Sequence, residues 1–423
     1  MKRFKKQSIA HHPFSTTKTT PIMKHNTLFI TLALISATLM AGASEKPDGD
    51  RTPADDNTPQ PIITIVKQEH SPEWYARQAT LWKAETERHP QDDNAWINYY
   101  HATRYSLWDA GGQQDIDNFN RLLDAIVDNV RQAHPESYAQ YVLENVNRRM
   151  TSTHPPYEDH MEEAIRMRPD NIRLYPDYVA YLLTQGKNDL LCDILQRWYA
   201  SGEYSPSLLG YAYNEMIGMD ANGIIFVNGD VPTYSKLIVA QGKGLFPSIT
   251  VVCISLLWDD TYRHTICRQL GIPEFEAFGT TQTDPAAWEE AFELHIIRYT
   301  GRPTYFSSMM PVPSFSDRLY SEGLVYRYSE KPYDNLSMKK RNYELGYLTD
   351  YLYEPLYPET YGASATRLNL NYIPCLKSLL DHYKSTGDIP HYTQLYNLMK
   401  RIVWRAENLT DNERKKYHAE IDR

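Results

Sequence analysis

The residues best suited to chemistry follow two short apolar runs near the middle of the chain. The runs cover residues 223–227 and 249–254, and both are rich in β-branched residues. Carboxylate, amide, hydroxyl and indole groups behind a strand can bind a sugar hydroxyl or a cation, and paired carboxylates suit acid–base chemistry or glycoside cleavage. The candidate ligand-binding residues are Asn228, Gly229, Asp230, Thr233, Tyr234, Trp258 and Asp259.

These residues form a site only if the two runs lie side by side. Continuous apolar runs of this length that alternate with a helix, here from Thr233 to Gln241, are typical of buried parallel strands. In such sheets a ligand binds beyond the carboxyl ends of the strands. We therefore expect Asn228 and Trp258 to open on one shared cleft.

Each candidate also has an interpretation without a ligand. Asn228 and Asp230 are common turn residues whose side chains bond the local backbone. Asp259 and Asp260 stand where a helix is predicted to begin, and the helix dipole favours acids there. Both interpretations stay open, so the sequence assigns no catalytic residue.

No complete cofactor or metal motif accompanies the candidates. His264 and Cys267 are metal-ligand types at helical spacing, but no second pair follows them. The sequence has no His-Glu-x-x-His metalloprotease motif, no Gly-x-Ser-x-Gly hydrolase motif and no phosphate-loop pattern. Gly242-x-Gly244 lacks the third glycine of a dinucleotide-binding fingerprint. The sequence therefore predicts no cofactor and no metal site. Four scattered cysteines predict buried free thiols, with a Cys253–Cys267 bridge as the alternative.

The N-terminal residues 1–43 are typical of a secretory signal peptide. They carry six Lys or Arg and no acid, and an apolar run at 28–40 precedes an Ala-x-Ala site at 41–43. Met23 is an alternative start of translation. The remaining chain has 38 basic and 53 acidic residues, a net charge of −15, which argues against nucleic-acid binding. We expect an exported protein, periplasmic or extracellular, with no transmembrane segment in its mature form.

Helical patterns flank the central runs. A helix, a Pro-x-Asp corner and an aromatic-led helix recur around Pro90 and Pro169, which resembles the tetratricopeptide unit. Thr304–Ser308 and Gly323–Tyr328 are predicted as a third and a fourth strand, the fourth at an edge. The predicted fold is mixed α and α/β, with irregular tetratricopeptide-like repeats flanking a small Rossmann-like α/β domain. The predicted parts are a linker at 44–69, a tetratricopeptide-like helical domain at 70–215, an α/β domain at 216–334 and a C-terminal helical segment at 335–423.

The central strands also carry a longer pattern. It comprises Gly223-Ile-Ile-Phe-Val-Asn-Gly-Asp230, then Thr233-Tyr234, and further stretches at 247–257, 301–306 and 319–327. This pattern resembles the soluble C-terminal region of a Bacteroidetes family of multi-pass proteins related to protein O-mannosyltransferases, and of secreted relatives with tetratricopeptide repeats. Where that family has Asn, Asp and Pro, this chain has Val231, Pro232 and Ser235. The resemblance implies the architecture; if the family site works through the missing acid, this copy is inactive or altered.

Two hypotheses of function follow. Stacked helical repeats form a curved surface that docks a peptide or protein, and the alternative is that these helices only support the neighbouring α/β domain. The preferred hypothesis is therefore an envelope binding or scaffold protein, with a small polar ligand at the strand ends as an additional option. The alternative is an enzyme acting on glycans or glycoproteins, which rests on the resemblance and on Asp230, Asp259 and Asp260. The sequence leaves the partner, the ligand and the enzymatic question open.

Overall fold

A computed structural model describes residues 58–107, 113–150, 160–275 and 285–423. The predicted signal peptide and residues 44–57 of the predicted linker lie outside these ranges. Within them the chain is mostly helical and carries one five-stranded mixed sheet, so the predicted mixed α and α/β class is confirmed.

The helices before the sheet begin where the sequence supplies capping groups. The Ser71 hydroxyl accepts the N–H of Trp74, and the Asp92 carboxylate accepts the N–H of Asn94. Such caps satisfy backbone donors that have no partner inside the helix. These helices are α1 (Pro72–Arg88), α2 (Asp93–Ser106), α3 (Gln113–Ala133), α4 (Tyr138–Met150), α5 (Met161–Met167), α6 (Tyr175–Gln185), α7 (Asn188–Ala200) and α8 (Pro206–Met216).

The segment just before α1 is packed against three parts of the fold. Ile62 is buried, and its N–H donates to the Asn98 side chain at 2.8 Å. The Trp82 indole donates to the Gln60 carbonyl, also at 2.8 Å. The Ser364 hydroxyl, far along the chain, donates to the Val66 carbonyl at 2.8 Å. This end of the predicted linker therefore joins α1 and α2 to the C-terminal helices.

The sheet has the strand order β2-β1-β3-β5-β4. β1 pairs in parallel with β2 and β3, whereas β5 pairs antiparallel with β3 and β4. Four strands were predicted, and the short β4 is the addition. The predicted edge position of β5 is wrong, because β4 pairs with its outer side. The strands are β1 (Ile224–Val227), β2 (Thr250–Cys253), β3 (Thr304–Ser307), β4 (Leu319–Ser321) and β5 (Val325–Tyr328).

Of the helices between the parallel strands, the one after β1 begins earlier than predicted. The helix predicted from Thr233 begins three residues earlier, at Asp230, because Gly229 has a φ of 85° and turns the chain directly out of β1. Pro232 is tolerated because it lies in the first helical turn, where no intrahelical partner is lost. These helices are α9 (Asp230–Leu237), continued by a π-helical turn (Ile238–Gly242), α10 (Asp260–Leu270) and α11 (Pro285–Thr300).

The C-terminal part is helical again. Gly387, with a φ of 71°, ends the helix Tyr372–Thr386, and the helix Ile389–Arg405 follows directly and packs on it. Across the described ranges, no helix is both long and apolar enough to cross a membrane. The helices are α12 (Asn335–Arg341), α13 (Asp350–Tyr353), α14 (Gly362–Leu368), α15 (Tyr372–Thr386), α16 (Ile389–Arg405) and α17 (Asp411–Asp422).

A buried ion pair joins the N-terminal helices to the sheet. Glu215 of α8 and Lys236 of α9 are 0% and 1% exposed, and the ammonium contacts the carboxylate. The Ser307 hydroxyl, at the end of β3, donates to the same carboxylate at 2.6 Å. Two buried charges are tolerated because each neutralises the other and the hydroxyl satisfies a further oxygen.

Breaking this pair should be costly. Lys236→Met leaves the Glu215 carboxylate buried without its cation, so we expect a loss of about 3–5 kcal/mol in the free energy of unfolding. Adding Glu215→Gln should restore much of that loss, because the amide still accepts from Ser307. Urea unfolding followed by circular dichroism measures both variants.

The matched control is the exposed pair of Lys83 and Glu87, whose atoms lie 2.6 Å apart. Lys83→Met should leave the unfolding midpoint nearly unchanged, because water screens exposed charges. A Lys236→Met midpoint equal to that of the control would contradict a stabilising role for the buried pair.

Candidate functional site at the strand ends

The predicted site residues follow the carboxyl ends of β1 and β2. The register pairs Val227 with Cys253, so the chain leaves the two strands at the same edge. β3 runs parallel on the other side of β1, with Phe306 opposite Phe226. The side-by-side arrangement of the two apolar runs is therefore present.

Most side chains of the turn after β1 bond to the turn's own backbone or pack in the core. The Thr233 hydroxyl donates to the Gly229 carbonyl at 2.6 Å, which closes the first turn of α9. Thr233 and Tyr234 are buried, and the Tyr234 ring lies 5.5 Å from the Trp198 ring. A side chain at position 229 would be strained by the positive φ. These three residues hold the backbone in place.

Asn228 is the buried polar group of this turn. Its Oδ1 atom has no hydrogen-bond donor among the described residues. Leaving such an acceptor unsatisfied costs about 1–3 kcal/mol. Of the predicted site, this oxygen would therefore gain most from an added donor.

Asp230 is the exposed member of the turn. Burial is the main cause of the raised pKa of the Tyr204 and Tyr361 hydroxyls, and the negative charge of Asp230 adds to it. The two rings lie 5.0 Å apart, centroid to centroid. Asp230 is thus a solvent-facing carboxylate near two aromatic side chains, a combination that suits a polar ligand.

The acids after β2 have local partners. The Asp259 carboxylate accepts the N–H groups of Thr261 at 2.7 Å and Tyr262 at 3.3 Å. Asp260 is exposed and pairs with Arg263. Asp259 is therefore the N-cap of α10, and the interpretation of these acids as a helix start is confirmed.

The two halves of the predicted site meet at Cys253. This buried thiol lies 3.1 Å from the Ser255 hydroxyl. Burial raises the pKa of this thiol, hydrogen bonds with the Ser255 and Thr233 hydroxyls oppose that increase, and the charge of Asp230 adds to it. Trp258, in contrast, has its contacts with α11, where its ring stacks on Trp288 at 4.4 Å. Asn228 is thus buried in the turn after β1, whereas Trp258 contacts α11, so the two residues have different neighbours.

Sequence reasoning missed two acids on α11. The Trp258 indole N–H donates to Glu289 at 3.0 Å, and burial raises the pKa of Glu289 to about 7. Glu293, one turn further along, is buried, and its pKa is raised well above the usual range. Two acids at helical spacing beside a tryptophan were the available signal, but that pattern is also common on exposed helix faces.

The His and Cys residues singled out in the sequence as possible metal ligands do not form a metal-binding group in the described residues. His264 pairs with Glu274 at 2.7 Å. Cys253 and Cys267 are buried free thiols, so the alternative of a bridge is wrong. In the residues that the structure covers, no three His, Cys, Asp or Glu side chains gather as a metal-binding group.

A small cavity lies away from these strand ends, among α8, α14 and α16. Its volume leaves room for about one water molecule. Its walls are formed by Ser207, Leu352, Thr366, Asn369, Ile402 and Arg405.

No family model matches the chain, and no curated protein or solved structure is significantly similar to it. The function is therefore argued from the residues of this chain.

The capping role of Asp259 has a direct test. Asp259→Ala should lower the free energy of unfolding by about 1 kcal/mol, because two N–H groups lose their acceptor. Asp259→Asn should lose far less, since an amide oxygen also caps a helix. Urea unfolding of both variants gives the comparison. An equal loss in the two would show that the negative charge, and not the cap, is what matters at this position.

Proposed function

We propose that this protein is an exported binding or scaffold protein of the cell envelope that docks a protein or peptide partner through its helical parts. The observation that carries this proposal is a set of large apolar side chains exposed around α13. We call it the α13 surface. Its members are Leu345, Leu348, Leu356, Tyr357 and Trp404.

Contacts with α16 hold this surface together. Arg401 of α16 donates to the Tyr353 carbonyl at 3.0 Å and to the Glu354 carboxylate at 3.1 Å. The same guanidinium lies over the Trp404 ring, 4.3 Å from its centroid. Trp404 therefore lies beside the chain segment that continues into Leu356 and Tyr357.

The composition of the α13 surface is that of a binding interface. Leu356, Tyr357 and Trp404 are 87%, 69% and 66% exposed. Trp, Tyr and Arg are the residue types that most often dominate binding energy, and Arg401 with Glu354 adds a charged rim. Contiguous exposed apolar surface on a folded chain commonly marks an interaction site. An apolar or aromatic segment of a partner would suit it.

The predicted helical domain at 70–215 gives weaker support for docking. Within its described residues, the large exposed apolar side chains are fewer and less exposed than those of the α13 surface. They are Leu122, Met167, Leu190 and Tyr199. The proposal therefore places the main contact on the C-terminal helices.

A small polar ligand at the strand ends remains a secondary part of the proposal. It is supported by the exposed Asp230 carboxylate and by the unsatisfied Asn228 oxygen. The glycan-processing alternative relied on Asp230, Asp259 and Asp260 acting together. Because Asp259 caps α10 and Asp260 pairs with Arg263, this alternative has lost two of its three acids.

The docking proposal predicts position-specific cross-linking in the envelope of the native host. With p-benzoylphenylalanine in place of Tyr357, the full chain should form one dominant adduct with another protein. Adding Trp404→Asp should weaken the adduct about tenfold or more, because truncating a hot-spot tryptophan costs about 2 kcal/mol.

The matched control carries the same photoreactive residue in place of Val312, which is 81% exposed and lies outside the α13 surface. It should give no dominant adduct. Equal adducts from both positions, or an adduct made only of two copies of this chain, would contradict partner docking at the α13 surface.

A further inference from the structure

The Glu289 carboxyl group of α11 holds the indole of Trp258, a residue that follows β2, by a hydrogen bond. Glu289 accepts the Trp258 N–H at 3.0 Å. The Trp258 ring stacks on Trp288, the residue before Glu289, with ring centroids 4.4 Å apart. One helical turn thus holds the indole by a hydrogen bond and by a ring stack.

Two further acids lie on the same stretch of α11. Glu293 follows Glu289 by four residues, so it occupies the same face of the helix. It is 3% exposed, and its Oε2 atom has no hydrogen-bond donor among the described residues. Glu290 accepts the Ser314 N–H at 2.8 Å and also its hydroxyl.

The neighbouring charged groups have other partners. Arg263 of α10 lies over the Trp288 ring at 5.2 Å, but it pairs with Asp260 and donates to the Leu257 carbonyl at 2.6 Å. Asp259 is used as the cap of α10. His295, on α11, contacts the Pro273 carbonyl at 2.7 Å.

Glu289 and Glu293 therefore lack a compensating cation in the part of the chain that the structure describes. Burial raises the pKa of Glu289 to about 7, against an opposing contribution from the Trp258 hydrogen bond. Burial also raises the pKa of Glu293, and the negative charges of Glu289 and Glu290 raise it further. The surroundings of both carboxyl groups therefore favour the protonated form over the charged one.

We propose that Glu289 and Trp258 form a proton-controlled latch beside the strand ends. With a neutral carboxyl, the indole stays clamped between Glu289 and Trp288. When Glu289 loses its proton to water, its charge lies in a half-buried site without a cation among the described residues, and it gains hydration by moving outward. Because Trp258 donates to this carboxylate, the indole follows, and the surface after β2 opens.

The direction of the pH effect follows from the pKa values. In the folded chain the Glu289 pKa is raised from its ordinary value of 4.5 to about 7. The stabilising contribution of the neutral carboxyl is therefore complete below pH 4.5 and is lost as the pH rises to about 7. The latch concerns α10 and α11, so it is independent of docking at the α13 surface.

The latch is tested on the full chain by tryptophan fluorescence and thermal unfolding between about pH 5 and pH 9. We expect one emission transition with a midpoint near pH 7, accompanied by a falling melting temperature. Glu289→Gln should abolish the transition and keep the low-pH emission, because a neutral amide still accepts from Trp258. Glu290→Gln is the matched control and should retain the transition.

Trp258→Phe supplies a second variant that leaves Glu289 intact. Most of the emission change should disappear, because the chain has eight tryptophans but only Trp258 is bonded to this carboxyl. The midpoint seen in the melting profile should move to higher pH, since the charged carboxylate loses its donor. A transition near pH 7 that survives Glu289→Gln, or a wild-type chain without one, would overturn the latch.

Discussion

The fold depends on the buried ion pair of Glu215 and Lys236, because three parts of the chain meet there. α8 supplies the acid, α9 supplies the cation, and β3 contributes the Ser307 hydroxyl. Apolar contacts are not directional, whereas a buried charge must lie within contact distance of its partner. The ion pair therefore constrains the relative position of α8 and α9 more tightly than apolar packing does. The carboxyl edge of the sheet is therefore held rigidly from the helical side, and that rigidity determines where Asn228 and Asp230 can lie.

The acids near the strand ends fall into two classes with different consequences. Asp259 and Asp260 have backbone donors or a cation as partners, so they stabilise α10 and have little chemistry left to perform. Glu289 is half-buried and Glu293 is buried on α11, without a cation among the described residues, so both hold their protons more tightly. The first class stabilises the start of α10, and the second carries the proposed response to protons.

The sequence predicted the parallel strands well, because β1, β2 and β3 are apolar runs bounded by turn residues. It missed β4, since Leu319–Ser321 is too short to show a pattern and is a strand only through pairing with β5. The core position of Lys236 was also unpredictable, because lysine is normally exposed and its partner Glu215 lies on another helix. The sequence placed Asn228 and Trp258 at one edge of the sheet, but it could not show that Asn228 is buried or that the Trp258 ring stacks on Trp288.

One contact across the whole chain bears on how the protein is made. The bond from Ser364 to Val66 spans 298 residues. During synthesis, Val66 leaves the ribosome long before Ser364 exists, so this contact forms only after most of the chain has been translated. The N-terminal segment therefore reaches its final packing late, after α14 has emerged.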